Sequence, residues 1–233
     1  MSSIYRIGIL AGMGPRSTAP FLEYVLDECE HQYGAQWDED FPHMMVYSLP
    51  TPFHPKKPLD HPSMIRSLQV GMDALTSAQC AIIAIPCNVV HQYYEQLCEM
   101  TSLPLLNIID ETIGCLETTS ATIGLLGTRS MIESGLYQTQ LARLHRDVYW
   151  NATLQQSIDE LIVATKKRGV HQETLSQWKN IEREFIQQGV SEVIIVCTDL
   201  TLYTQWTSLT MIDSTQALAK GLVKRYVKEQ HLR

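Results

Sequence analysis

The sequence predicts an α/β protein made of two similar halves, each built on a parallel sheet. Three observations carry this. Short β-branched runs alternate with amphipathic stretches of helical period along the chain. Two of those runs, Ala81-Ile-Ile-Ala-Ile-Pro86 and Val193-Ile-Ile-Val196, are apolar throughout, as parallel strands covered on both faces are, and each leads into a cysteine, Cys87 and Cys197. Finally, Ile7-Gly8-Ile9-Leu10-Ala11-Gly12 is echoed by Ile123-Gly124-Leu125-Leu126-Gly127-Thr128. Gly8 and Cys87 lie 79 positions apart, Gly124 and Cys197 73. An approximate internal repeat follows, each copy ending in a cysteine turn.

Taken in order, residues 5–11 form a first strand that runs into Gly12-Met13-Gly14-Pro15. A helix follows over 18–33 and a strand over 44–49. Residues 50–62 carry five prolines and read as a loop long enough to reach over a site. Residues 63–76 place Met64, Leu68, Met72 and Leu75 on one helical stripe. A strand over 80–85, a helix over 89–100 and a short strand over 105–109 complete the first half. The second half opens with a strand over 121–126 and a turn over 127–130. Helices are expected over 131–145, 157–167 and 173–188. The strand 193–196, a short strand at 211–212 and a closing helix over 214–230, with Ser214 as N-cap, end the chain.

Composition narrows the function. At 233 residues the chain can bury a full core, and 45% hydrophobic with 18% charged residues is ordinary for a globular protein. The net charge is −7 and no basic run is present, so a nucleic acid is not an expected partner. No apolar run is long enough to span a bilayer, and no basic-then-apolar leader opens the chain, so the cytosol is the expected compartment. The six cysteines include no CxxC pair, which removes the usual zinc and thioredoxin signatures. The glycine turn Gly12-Met13-Gly14-Pro15 is neither GxGxxG nor a P-loop. Neither a metal nor a cofactor is expected.

The strand-end residues suggest acid–base chemistry. In open parallel sheets, ligands bind beyond the carboxyl ends of the strands. An unperturbed cysteine titrates near about 8.5, and backbone amides at a strand-to-helix turn favour the thiolate. Two such thiols on opposite faces of an amino-acid α-carbon can remove a proton from one face and return one to the other. Backbone amides at the same turns hold a carboxylate. A cysteine that only fills core is the competing reading, and the matched flanks of Cys87 and Cys197 favour function. Asn88, Thr128 and Thr198 follow strand ends, where such residues either cap helices or donate to a carboxylate. His91, four residues after Cys87, either orients that thiol or is a structural core histidine. Arg16, Ser17 and Thr18 start a helix after the glycine turn, in reach of an anion. Cys29, Cys80, Cys98 and Cys115 lack such company and read as packing.

Together these residues resemble the aspartate/glutamate racemase family, which works without pyridoxal phosphate. Five segments carry the resemblance, in order: Ala11-Gly12-Met13-Gly14-Pro15-Arg16-Ser17-Thr18, Pro86-Cys87-Asn88-Val89-Val90-His91, Leu126-Gly127-Thr128, Cys197-Thr198-Asp199 and Asp213-Ser214. The resemblance implies two pseudo-symmetric Rossmann-like domains with the active site in the cleft between them. It divides the chain into 1–112 with 213–233, and 113–212. It implies Cys87 and Cys197 as the acid–base pair. Met13, Thr18, Asn88, Val89, Thr128 and Thr198 become substrate-binding residues. Lys167, in Lys167-Arg168-Gly169, takes the place of the family lysine that reaches a distal carboxylate, with Lys166 as the alternative. The implied protein is a homodimeric racemase of aspartate or glutamate, with broad specificity open.

Three departures bear on the substrate. Val89 stands where the family has threonine, leaving only a backbone N–H. Asp199 replaces glutamate, one methylene shorter. No arginine occurs between Pro50 and Pro62, where some aspartate-specific members carry one; His54, Lys56 and Lys57 stand there instead. Two other readings keep the fold: a related isomerase or decarboxylase, and a non-catalytic binding protein for acidic amino acids.

Overall fold

A computed structural model describes residues 4–53, 59–116 and 122–231. His54, Lys56 and Lys57 lie outside the described residues. The chain divides into two compact units, Met1–Glu111 with Thr215–Arg233, and Thr112–Ser214.

In the first unit, strand β1 (Arg6–Ala11) leads through the glycine turn into helix α1 (Thr18–Tyr33). Strand β2 (His43–Ser48), helix α2 (His61–Ser77) and strand β3 (Ile82–Ala84) follow. The three strands are parallel in the order β2-β1-β3, with Gly8 between Met45 and Ile83. Helix α2 starts where Asp60 accepts the Ser63 N–H, and its expected stripe of Met64, Leu68, Met72 and Leu75 is buried. That stripe packs with Leu10, Ile83 and Ile85 in one cluster, which fixes the strand ends against the helix.

After β3 the chain makes a 3₁₀ segment, Val89–Tyr93, and then helix α3 (Tyr94–Glu99), rather than one α-helix. The expected strand over 105–109 is corrected to a single bridge: Leu106 N–H donates to Ile83 O, and Ile83 N–H to Pro104 O. Extension stops there because the Asn107 side chain accepts the Ile109 N–H at 2.9 Å, which starts helix α4 (Ile108–Ile113).

The second unit repeats the plan. Strands β4 (Thr122–Leu126) and β5 (Asp147–Tyr149) enclose helices α5 (Arg129–Glu133) and α6 (Leu136–Arg143). Helices α7 (Ala152–Arg168) and α8 (Gln172–Gln187) precede strand β6 (Glu192–Ile195). A 3₁₀ segment, Thr198–Trp206, leads to strand β7 (Thr210–Asp213), and helix α9 (Ser214–His231) ends the chain. All four strands are parallel in the order β5-β4-β6-β7, with Gly124 between Tyr149 and Val193.

Each sheet therefore sets its glycine-bearing first strand between the second and third. Cys87 comes four residues after the residue paired with Gly8, and Cys197 four after the residue paired with Gly124. The repeat read from sequence is thus a repeat of topology and register.

Other expectations are corrected. The single helix over 131–145 is two helices, interrupted at Gly135 in the left-handed region (φ 68°). The turn over 127–130 is shorter, since Arg129 is already helical. Helix α7 starts five residues before the expected 157, because Asn151 accepts the Leu154 N–H at 2.8 Å. Strand β5 was not expected: three residues are too few for a periodic signal.

Gly12 is the backbone position on which the first unit depends. Its φ is +91°, and a Cβ there would lie 2.6 and 2.7 Å from the backbone N and O of Leu49. Backbone atoms cannot swing aside, so Gly12→Ala is expected to destabilise the protein by about 2 kcal/mol or more. The urea unfolding midpoint of the variant checks this.

Candidate active site

Each unit places its candidate residues at the carboxyl ends of its strands. In the first, the glycine turn is closed by Gly12 N–H donating to Thr18 Oγ1 at 3.2 Å. Met13 and Cys87 both pack on the edge of the cluster beneath, and Cys87 is half-buried. Asn88 is buried, and Val89 opens the 3₁₀ segment. Arg16 stands exposed in the short 3₁₀ turn that follows the glycines.

His91 is a structural histidine. Its Nε2 accepts the Ile108 N–H at 3.2 Å, so Nδ1 carries the proton and donates to the Cys87 carbonyl at 2.8 Å. Complete burial holds its pKa below the ordinary value and keeps the ring neutral. The ring therefore fastens the Cys87 turn to the start of α4 through the backbone; its two nitrogens are given to main-chain groups.

In the second unit β4 and β6 end side by side, with Leu126 opposite Ile195 and Val196 N–H donating to Leu126 O. A Cβ on Gly127 would lie 2.2 Å from Val196 Cγ2, so only glycine lets these ends close up. The Thr128 hydroxyl pairs with Ser130 Oγ at 3.2 Å and makes no cap bond to the backbone of α5.

Cys197 is buried, and its thiol donates to Asp199 Oδ2 at 3.6 Å. The same oxygen accepts Lys166 Nζ at 2.6 Å. Lys166 thus stands at the second thiol. Lys167, one residue and about 100° further round the helix, is exposed and makes no ion pair among the described residues. Thr198 opens the 3₁₀ segment, whose Thr201 hydroxyl donates to Asp213 Oδ2 at 2.8 Å and ties the segment to β7.

The thiol here departs from expectation. Burial first, and then the Asp199 charge, push the Cys197 pKa up to about 12 against the opposing Lys166. The thiolate-favouring setting expected at a strand-end turn is overridden by desolvation. Iodoacetamide reacts with thiolate, so Cys197 is expected to label slowly at pH 8 and faster as pH rises toward about 12. Asp199→Asn removes a negative neighbour and should speed labelling at any one pH. Peptide-resolved mass spectrometry separates Cys197 from the exposed Cys98, which the packing expectation placed wrongly. Cys29 and Cys80 are buried as expected.

Sequence reasoning missed Gln155. It is fully buried, donates to Gly127 O at 3.0 Å and Asp159 Oδ1 at 2.9 Å, and accepts Trp150 Nε1 at 3.3 Å. Asp159 in turn accepts the Arg129 N–H and guanidinium, each at 3.2 Å. The available signal was a glutamine beside the apolar stripe of Leu154, Ile158 and Leu161. Among the described residues no three His, Cys, Asp or Glu side chains are grouped to hold a metal ion. No helix among them is long and apolar enough to cross a membrane.

Two parallel α/β units, each with a cysteine four residues past the strand residue paired with its glycine, define an α/β protein of duplicated plan. The chain matches the Asp/Glu/hydantoin racemase family over residues 10–222. It is 39% identical over 226 residues to the broad specificity amino-acid racemase RacX of Bacillus subtilis, covering 96% of this chain and 99% of that one. Glutamate racemase of Persephonella marina is 25% identical over 199 residues, covering 81% and 75%. The structure of Picrophilus torridus aspartate racemase superposes with a TM-score of 0.79 at 24% identity, covering 95% and 94%. That of an aspartate racemase homologue from Pyrococcus horikoshii gives 0.77 at 21%, covering 96% and 100%. The two structural likenesses carry the fold. The chain belongs to the Asp/Glu/hydantoin racemase family, and so to the isomerases.

Proposed function

We propose that the protein is a cofactor-independent amino-acid racemase in which Cys87 and Cys197 are the two acid–base groups. The observation that carries this reading is the equivalent placement of the two thiols, each four residues past the strand residue paired with the repeat glycine. One thiolate takes the α-proton and the opposite thiol returns one to the other face. The carbanion formed is stabilised as its carboxylate takes up charge, which the strand-end backbone amides and the donors Asn88, Thr128 and Thr198 offset. Met13, Thr18 and the Val89 N–H shape the strand-end surface of the first unit.

The two thiols are not equivalent in setting. Cys197 is buried and hydrogen-bonded to Asp199, whereas Cys87 is half-buried. Cys197 therefore starts as the protonated partner and gives its proton to the carbanion. In the reverse direction the positive α-ammonium of the substrate favours its thiolate. The relative named for broad specificity supports a substrate range wider than aspartate and glutamate. We further propose a homodimer in the cytosol.

The test is incubation of the purified protein with L-amino acids in deuterated water. Deuterium at the α-carbon together with the D-isomer is the expected result. Silence across aspartate, glutamate and a wide amino-acid panel would remove the reading. Turnover of a hydantoin or a malonate instead would assign a sister reaction to the same fold.

A further inference from the structure

We infer that Asp199 sets the substrate class by cancelling the charge of Lys166, so that the site prefers amino acids with uncharged or cationic side chains to aspartate and glutamate. The inference rests on the racemase reading and deepens it. Lys166 is the basic side chain found at the second thiol, where a cation would serve to hold a distal carboxylate. Its ammonium is 2.6 Å from Asp199 Oδ2, and that same oxygen accepts the Cys197 thiol at 3.6 Å. The Lys166 and Asp199 side chains are 35% and 19% exposed, so the pair is partly desolvated yet still reachable from solvent.

A distal carboxylate would have to displace an intramolecular rival. A tethered partner acts at an effective concentration of about millimolar or above, comparable with ordinary substrate levels. It would also bring a negative charge up to Asp199, and like charges set side by side are unfavourable. Arg129, which follows strand β4, is likewise paired, with Asp159 at 3.2 Å. The pair as a whole is neutral and repels no uncharged side chain. Asp199 meets both Lys166 and the Cys197 thiol through Oδ2, and the second oxygen of a carboxylate can accept an N–H donor from a cationic substrate tail. The single methylene of Asp199 keeps the carboxylate at the thiol, two residues along the chain, where it meets Lys166.

The experiment is a charge series. Wild type, Asp199→Asn and Lys166→Met are each assayed for α-proton exchange with L-lysine, L-methionine and L-aspartate. Wild type should favour lysine and methionine over aspartate in kcat/KM by about tenfold or more. Asp199→Asn removes the negative charge from beside the ammonium and should move the aspartate-to-lysine ratio toward aspartate by about tenfold. Lys166→Met bares the carboxylate and should move the ratio the other way. Because Asp199 touches the thiol, absolute rates will fall in Asp199→Asn; the ratio is the readout.

A wild-type preference for aspartate over methionine overturns the inference. So does a ratio that stays within about threefold in both variants, or a uniform loss for all three amino acids, which would place Asp199 on the shared α-ammonium or on Cys197 alone. If wild type exchanges no amino acid at all, the racemase reading fails separately. Ligand-dependent thermal stabilisation by the same three amino acids then decides the inference, since it reads preference without turnover. Stabilisation by aspartate in preference to lysine and methionine, or by none of the three, counts against it.

Discussion

Replacing either Cys87 or Cys197 by serine is expected to lower the racemisation rate by at least about a thousandfold, the scale of a lost general acid–base group. Serine is close in size, so the fold should hold. Its hydroxyl is a far weaker acid than a thiol and carries almost no alkoxide near neutrality. The two variants should differ in a way that a general defect would not produce. Each keeps one thiol and can still exchange the α-proton of one enantiomer on its own face. In deuterated water, one variant should label the L-amino acid and the other the D-amino acid, with no interconversion. Proton NMR of the α-position and chiral chromatography read the two events apart. Cys98→Ser, on the exposed face of α3, should leave the rate unchanged. Equal loss in Cys98→Ser, or full racemisation in either strand-end variant, would defeat the assignment.

The second large effect is expected at the opposite end of the second sheet. Glu192 is the first residue of β6 and accepts Arg146 Nη1 at 3.1 Å. The two side chains are only 4% and 7% exposed, so neither charge is solvated if the other is removed. Glu192→Leu leaves a buried guanidinium unpaired, at a cost of about 3–5 kcal/mol. For a chain of this size that lowers Tm by about 10 °C. The double variant Arg146→Met with Glu192→Leu should recover most of the loss, because an apolar pair of similar volume meets no desolvation penalty. Thermal and urea unfolding of the single and double variants check this. A single variant as stable as wild type would show the pair to be solvated in the native protein.

Much of the fold was legible because it is written in local periodicity. The stripe of Met64, Leu68, Met72 and Leu75, the bounds of α1 and the glycine-bearing strands β1 and β4 all follow from spacing alone. The errors fall where one side chain or a few backbone bonds overrule periodicity. Asn107 turns an apolar run, expected as a strand, into the start of a helix. Gly135 divides what the apolar pattern reads as one helix. Asn151 starts α7 early because its cap bond outweighs the polar residues that follow it.

The strand-end placement of two thiols was legible, since Cys87 and Cys197 close apolar strands and share their flanks. Their electrostatics were not. Lys166 and Lys167 are equivalent in composition, and only the phase of α7 against the segment after β6 decides that Lys166 meets Asp199. The role of His91 had two readings until its ring nitrogens were seen to serve Cys87 O and the Ile108 N–H.

What residue order determines by itself is the duplicated parallel plan: each half tells where its strand ends and that a sulfur stands there, because hydrophobic rhythm is a property of neighbours along the chain. What three-dimensional packing alone decides is the protonation and pairing of those groups. Burial of Cys197 and the meeting of Lys166 with Asp199 depend on the dielectric and on atoms from distant segments, and neither is encoded within any short window of residues.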